Sequence, residues 1–182
     1  MKDIINAELV LKDHLIPDAV VFVEDGVITG FGPMRTAEIP EGCEIIDAKG
    51  MIAMPSFADC HAHLTQSVLK GPMDDYPITT WLVRLFGIED IMSPEENYYS
   101  SLLGCLTALR CGTTVINDMA GWDILDPVIQ AVHDSKIRAT IGISTTDVPE
   151  NEATPIISID EALRRSEVVY NKVHNNGKMR AS

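Results

Sequence analysis

Two histidines one residue apart, His61 and His63, are the part of the sequence best suited to chemistry. They end a segment, residues 57–63, that follows an apolar run and Pro55 and is predicted to be a β-strand. Alternate side chains of a strand lie on one face, so both imidazoles are expected on the same side, about 6–7 Å apart. Because each Zn–N bond is about 2 Å long, two such rings can reach one metal ion. The spacing alone also fits two surface or core histidines that bind nothing.

The elements that must position this pair change character near Pro55. Residues 1–54 consist of short apolar runs separated by turns, with Asp25-Gly26 as a hairpin turn, and they predict a small β-sandwich-like domain. Residues 55–182 instead repeat a strand, a loop and a helix. The predicted strands are 57–63, 113–117, 137–144 and the start of a fourth at 178–181; the predicted helices are 93–111, 123–135 and 158–175; a long loop covers 64–92.

Strands that alternate with helices favour βα units and a parallel sheet. A complete (β/α)8 barrel has about 250 residues, and the segment after residue 54 is about half of that. The expected fold is therefore α/β: an incomplete (β/α)8 TIM-type barrel with the first three βα units, in residues 55–182, preceded by the sandwich-like domain.

Composition excludes several classes of function. The 182 residues carry a net charge of −13, which disfavours binding to nucleic acids or to anionic membranes. No apolar stretch approaches the roughly 20 residues that span a bilayer, and the N-terminus lacks the pattern of a secretory signal. The four cysteines have no C-x-x-C spacing and are expected to be free thiols in a reducing compartment. A cytoplasmic protein is the expectation.

The pattern Pro55-x-x-x-Asp59-x-His61-x-His63 resembles the first barrel strand of the amidohydrolase superfamily, with Ser56 where that family usually has glycine. The resemblance continues in order along almost the whole chain. It is closest to the branch that contains S-adenosylhomocysteine/methylthioadenosine deaminases, guanine deaminase and the triazine hydrolases. The further segments that carry it are 63–71, Asp74-Asp75, Trp81-Leu82, Ile88-Glu89, the helix 93–111, Gly112-Thr113-Thr114 and Asp118-Met119.

This resemblance implies a site for one divalent metal, zinc or alternatively iron, with His61 and His63 as two of its ligands. The family's other ligands and its proton-shuttling glutamate belong to later strands, so the resemblance assigns no catalytic acid or base within these 182 residues. It also implies that Glu89 contacts substrate hydroxyls and that Trp81 walls the pocket. The alternatives are a solvated loop acid and a loop-packing tryptophan.

The sequence leaves two interpretations open for several polar residues. Asp59 either supports a histidine ligand or fills a layer of the barrel, and the strand-end acids Asp118 and Asp147 either line the pocket or are ordinary surface acids. His14, His133 and His174 are expected to have no ligand role. The acidic stretch Glu150-Asn151-Glu152 is expected to be a solvated loop.

The implied reaction is hydrolytic deamination of an aminated heterocycle of purine, nucleoside, pyrimidine or triazine type. A bound metal would lower the pKa of water from 15.7 toward about 7 and so provide the nucleophile. The segment Ile143-Ser144-Thr145 offers no arginine for a substrate carboxylate, which argues against S-adenosylhomocysteine itself. The alternatives are a truncated, non-catalytic chain or half-barrel subunit that is inactive without a C-terminal half, and a binding module without chemistry. Open strand edges would favour self-association or a complementing half.

Overall fold

The computed structural model describes residues 2–148 and 156–182, and the chain divides into two compact units, Met1–Ser56 and Phe57–Ser182. The predicted acidic loop at residues 150–152 lies outside the described residues. Within the described part of the chain, every helix is too short or too polar to cross a bilayer.

The first unit is built on one five-stranded sheet. Its strands are β1 (Lys2–Val10), β2 (Leu15–Glu24), β3 (Val27–Pro33), β4 (Glu44–Asp47) and β5 (Ile52–Ala53). The order is β3-β2-β1-β4, and β5 also pairs with β1. The hairpin between β2 and β3 turns at Asp25 and Gly26, which both have positive φ, as its sequence predicts. Leu9, Ala19 and Val21 form the small buried core.

This single sheet differs from the sandwich-like domain that the sequence predicts for residues 1–54. A sandwich needs strands in two sheets that face each other. Here β4 and β5 both pair with β1 in parallel, at Lys2–Ile5 and at Glu8–Leu9, so both extend the same sheet. Strand lengths and turns in the sequence do not encode which edge a short strand joins.

The second unit is a parallel four-stranded sheet with helices. Its strands β6 (Phe57–Ala62), β7 (Thr113–Ala120), β8 (Arg138–Ile143) and β9 (Met179–Ala181) are adjacent in chain order. The helices are α1 (Ile78–Glu89), α2 (Pro94–Arg110), α3 (Leu125–Ser135) and α4 (Ile159–Val173). The predicted strands, including the fourth, and the three predicted helices are confirmed with small shifts of their ends.

Local signals explain why these helices form where they do. Ser93 accepts a hydrogen bond from the backbone N–H of Glu96, and the Glu96 carboxylate accepts one from the Ser93 N–H, so α2 begins with a capping box followed by Pro94. Ser158 caps α4 with a single bond, in which its hydroxyl oxygen accepts from the Glu161 N–H. These caps satisfy backbone donors that the first turn of a helix cannot pair internally.

Helix α1 corrects the prediction of a continuous loop over residues 64–92. The helix begins after Pro77 without any side-chain cap, and it contains Gly87, so its sequence has the breakers of a loop and lacks a start signal. It forms because Trp81, Leu82, Leu85 and Ile88 make an apolar stripe, in which Leu85 is only 3% exposed. Trp81 and Glu89 are therefore helical residues and not loop residues.

The sheet of the second unit buries one face and leaves the other open. Ile116, Ala120, Ala139 and Ile141 pack against the helices in the main core, together with Val128 and Val132 of α3 and Val169 and Val173 of α4. Val115, Asn117 and Met119 on β7 are exposed on the other face, and on the edge strand β6 all of residues 57–61 are exposed. Residues of the histidine-bearing face are therefore accessible.

Candidate metal centre

His61 and His63 lie where β6 ends, and the structure brings their rings together. His61 is the penultimate residue of the strand, and His63 follows its last residue. The ring centroids are 4.8 Å apart and the rings meet edge to face at 87°. This arrangement matches the same-side placement that the strand period predicts.

Strand β7 fixes the second of these rings. Nδ1 of His63 lies 3.2 Å from the backbone carbonyl oxygen of Met119. A carbonyl oxygen only accepts, so Nδ1 carries the proton and donates a hydrogen bond to the Met119 oxygen. In a neutral imidazole this leaves the lone pair on Nε2, the arrangement that metal-binding histidines use.

Asp59 supports the backbone beside His61. Its Oδ1 accepts a hydrogen bond of 3.1 Å from the backbone N–H of His61. The carboxylate is exposed and holds the main chain of β6 at the point where the first imidazole projects. Asp59 thus supports His61 through its main chain and not through its ring.

Glu89, at the C-terminal end of α1, lies beside the turn that follows His63. Gln66 Nε2 donates to Glu89 Oε1 at 3.3 Å. Partial burial raises the pKa of the Glu89 carboxyl, while hydrogen bonds from Gln66 and Thr65 and the proximity of the His63 imidazole act in the opposite direction. The predicted substrate contact and a predicted ligand are therefore electrostatic neighbours. Gln66 was missed as part of this cluster, although it stands only three residues after His63.

Trp81 is separated from this cluster along the helix. It lies in the first turn of α1 and Glu89 in the last, which is about 12 Å along the axis at 1.5 Å per residue. Its side chain is half-buried. The structure therefore does not bring Trp81 and Glu89 into contact.

Asp118 is buried behind the histidine pair rather than open to it. It is 1% exposed, and its Oδ1 accepts a hydrogen bond of 2.8 Å from the backbone N–H of Leu64. Its Oδ2 has no hydrogen-bond partner among the described residues. Burial raises the pKa of this carboxyl to about 6, against a smaller lowering by the Leu64 hydrogen bond. Asp147, by contrast, is exposed.

Helix α2 holds the turn that follows His63. The Ser100 hydroxyl donates to the Thr65 carbonyl at 2.6 Å and accepts from the Val68 N–H at 3.2 Å. Gly104 lies against the same turn, where a Cβ would come within 2.9 Å of Leu64 Cδ2 and closer still to Ser67 Oγ. Strand β7 thus holds the ring of the second histidine, and α2 holds the turn that follows it.

The remaining histidines lie elsewhere in ordinary surroundings. His133 Nδ1 is 3.1 Å from Asp134 Oδ1 on the exposed side of α3, and His174 stacks on Tyr170 with centroids 4.5 Å apart. His14 pairs with its neighbour Asp13. Within residues 2–148 and 156–182 no group of three or more histidine, cysteine or acidic side chains is arranged to hold a metal. The two neighbouring rings are donors of the kind that a divalent metal takes, as part of a larger ligand set.

Comparison with known proteins identifies the family. The sequence pattern of the amidohydrolase family matches residues 52–179, and the chain belongs to this family. It is 32% identical over 154 residues to a 5-methylthioadenosine/S-adenosylhomocysteine deaminase of Desulforamulus reducens, covering 84% of this chain and 35% of the relative. It is 33% identical over 133 residues to a 5'-deoxyadenosine deaminase of Methanocaldococcus jannaschii, covering 72% and 31%. The chain thus spans about a third of the length of these relatives.

Solved structures share the fold. Atrazine chlorohydrolase from Arthrobacter aurescens TC1, complexed with zinc, matches with a TM-score of 0.88 at 17% identity, over 100% of this chain and 46% of that one. An adenosine deaminase from Xanthomonas campestris with bound zinc matches with a TM-score of 0.81 at 23% identity, over 100% and 42%. The resemblance to the amidohydrolase superfamily, and to its deaminase and triazine hydrolase branch, is confirmed.

Proposed function

We propose that residues 57–182 form the first part of a (β/α)8 barrel and supply two histidine ligands to one divalent metal in a hydrolase for aminated heterocycles. The observation that carries this proposal is the edge-to-face pair His61 and His63, with Nδ1 of His63 donating to the Met119 carbonyl. That hydrogen bond leaves Nε2 free to bind a cation. Zinc is the preferred metal, with iron as the alternative, because neutral imidazoles bind both.

In this proposal, the residues of this chain bind the metal and orient the substrate. When bound, the metal supplies a water of lowered pKa at neutral pH. The imidazoles of His61 and His63 hold the cation at the exposed face of the sheet, at the end of β6. Glu89, which accepts a hydrogen bond from Gln66, is proposed to accept another from a substrate hydroxyl. Trp81 is proposed to form an apolar wall near the other end of α1.

The names of the relatives support a heterocycle as the substrate. Those proteins are deaminases of methylthioadenosine, S-adenosylhomocysteine and deoxyadenosine, and the neighbours of known structure include triazine hydrolases and guanine deaminases. All of these names denote nitrogen heterocycles. A purine nucleoside, a purine or a triazine is therefore the proposed substrate class.

Metal binding by the purified 182-residue chain tests this proposal. Zinc affinity is measured by competition with a metal indicator for the wild type, for His61→Ala with His63→Ala, and for His133→Ala with His174→Ala. The second double variant is a matched control because it removes two histidines from helices. We expect the first pair of changes to abolish binding at the site and the control pair to leave it unchanged. Equal affinity of all three proteins would overturn the proposal.

A second proposed property is that the 182-residue chain is inactive alone. Two histidines give an open, weak metal site, and a catalytic zinc usually has three protein ligands. We expect no release of ammonia from adenosine, guanine or aminotriazines by the metal-loaded chain. Ammonia release at enzymatic rates, lost in His61→Ala, would show that these residues suffice for catalysis.

A further inference from the structure

We propose that Asp118 is a positioning residue for His63 and acts through the backbone of Leu64. This inference rests on the proposed metal-binding role of the histidine pair. Asp118 does not touch the imidazoles, and its side chain lies on the buried face of β7. Its connection to the site is the 2.8 Å hydrogen bond that Oδ1 accepts from the Leu64 N–H.

That hydrogen bond is positioned to control the orientation of His63. Regular pairing of β6 with β7 ends at Ala62 and Asp118, so His63 lies beyond the last paired residue. Its backbone, with φ −132° and ψ 86°, belongs to neither the strand nor the short 3-10 turn Leu64–Gln66. The Asp118 carboxylate binds the first N–H of that turn. This hydrogen bond therefore connects β7 to the chain beyond the last backbone pair of β6 and β7.

The next residue of β7 completes a two-point clamp. The Met119 carbonyl accepts from His63 Nδ1, while the Asp118 carboxylate accepts from the following backbone N–H. The first contact selects the tautomer, and the second holds the main chain at the place where the first contact can form. Without the second contact, the chain after Ala62 gains rotational freedom and the ring leaves its acceptor.

The chemistry of the Asp118 site argues for positioning rather than for stability alone. A buried carboxylate with one unpaired oxygen costs free energy, and an apolar residue would pack there without that cost. What an apolar residue cannot do is accept the hydrogen bond from Leu64. The neutral amide of asparagine retains that acceptor and removes the charge. Asp118→Asn therefore separates the effect of the hydrogen bond to Leu64 from the effect of the negative charge.

The experiment uses the full 182-residue chain labelled with 15N-histidine, in the metal-free state and in zinc titrations. The variants are Asp118→Ala, which removes the acceptor, and Asp118→Asn, which keeps it. Asp134→Asn on α3 is the control for the change in net charge. Long-range 15N–1H correlation spectra report the tautomer of His63, whose signals are assigned by their loss in His63→Ala.

We expect His63 of the wild type to be the Nδ1–H tautomer and Asp118→Ala to lose both that preference and about tenfold or more of its zinc affinity. Asp118→Asn and Asp134→Asn should keep both. An Nε2–H tautomer in the wild-type protein would overturn the inference even if Asp118→Ala fails to fold. Wild-type affinity in a folded Asp118→Ala, or loss of the tautomer in Asp118→Asn, would overturn it as well. Unchanged zinc binding in the His61→Ala, His63→Ala protein would instead refute the proposed function, because it would remove the site itself.

Discussion

Gly104 offers a sharp test of how α2 supports the histidine turn. It lies inside α2, and an added Cβ would come within 2.9 Å of Leu64 Cδ2, with Ser67 Oγ nearer still. Gly87, inside α1, has no atom within 4 Å of the same position. Both residues are helical glycines, so the pair Gly104→Ala and Gly87→Ala differs mainly in the space available.

The expected magnitudes follow from two opposing effects. Replacing a glycine by alanine inside a helix stabilises it by about 0.8–1 kcal/mol, which applies to both variants. Adding a methyl group to a filled site costs about 1–3 kcal/mol, which applies to Gly104 alone. The Ser67 hydroxyl cannot simply rotate away, because it donates to the Leu64 carbonyl at 2.8 Å. We therefore expect Gly87→Ala to be more stable than the wild type and Gly104→Ala to lie about 2 kcal/mol below Gly87→Ala.

Urea unfolding followed by tryptophan fluorescence measures this difference. The two tryptophans of the chain, Trp81 and Trp122, both belong to the unit Phe57–Ser182, so the signal reports on that unit. Zinc titration of the same proteins should show weaker binding only for Gly104→Ala, since its methyl group displaces the turn after His63. Equal stabilisation by both substitutions would refute the tight packing of α2 on this turn.

Three further predictions concern the same unit. Ser100→Ala should lower the free energy of unfolding by about 1–3 kcal/mol, because it leaves the buried Thr65 carbonyl and the partly buried Val68 N–H unpaired. Ser101→Ala, whose hydroxyl donates to the Asn97 carbonyl within α2, should cost less in the same urea assay. The pKa of Asp118 rises from 3.8 to about 6 on folding, so the folded state retains a proton that the unfolded state releases, and this group's contribution to stability falls by about 3 kcal/mol as pH rises from about 4 to 7. The nearby Cys105 thiol stays neutral between about pH 4 and 7, because burial raises its pKa to about 11, so it does not contribute to this pH dependence. The stability of Asp118→Asn relative to the wild type should therefore increase as the pH rises from about 4 to 7. A constant difference in stability between the two proteins would contradict the raised pKa of Asp118. The isolated chain should self-associate through the open face and outer strands of its sheet, and a clean monomer by light scattering at all concentrations would exclude this.

Much of the fold was encoded in local sequence. The helix predicted over residues 93–111 agrees within a residue at each end with α2, Pro94–Arg110. The hairpin at Asp25-Gly26 followed from the left-handed conformation that glycine adopts without strain. Helix α1 was missed because it has no cap and contains breakers, and it depends on the burial of Leu85.

The sequence by itself predicted that His61 and His63 lie on the same side, from the two-residue period of a strand, although His63 falls just past the end of β6. It also carried the family motif. Only the tertiary structure placed Met119 against the ring, Asp118 behind the turn and Glu89 beside Gln66. These contacts join residues that are 23 to 56 positions apart in the chain. No local pattern specifies them, since they exist only once β7 and the helices have packed against the end of β6.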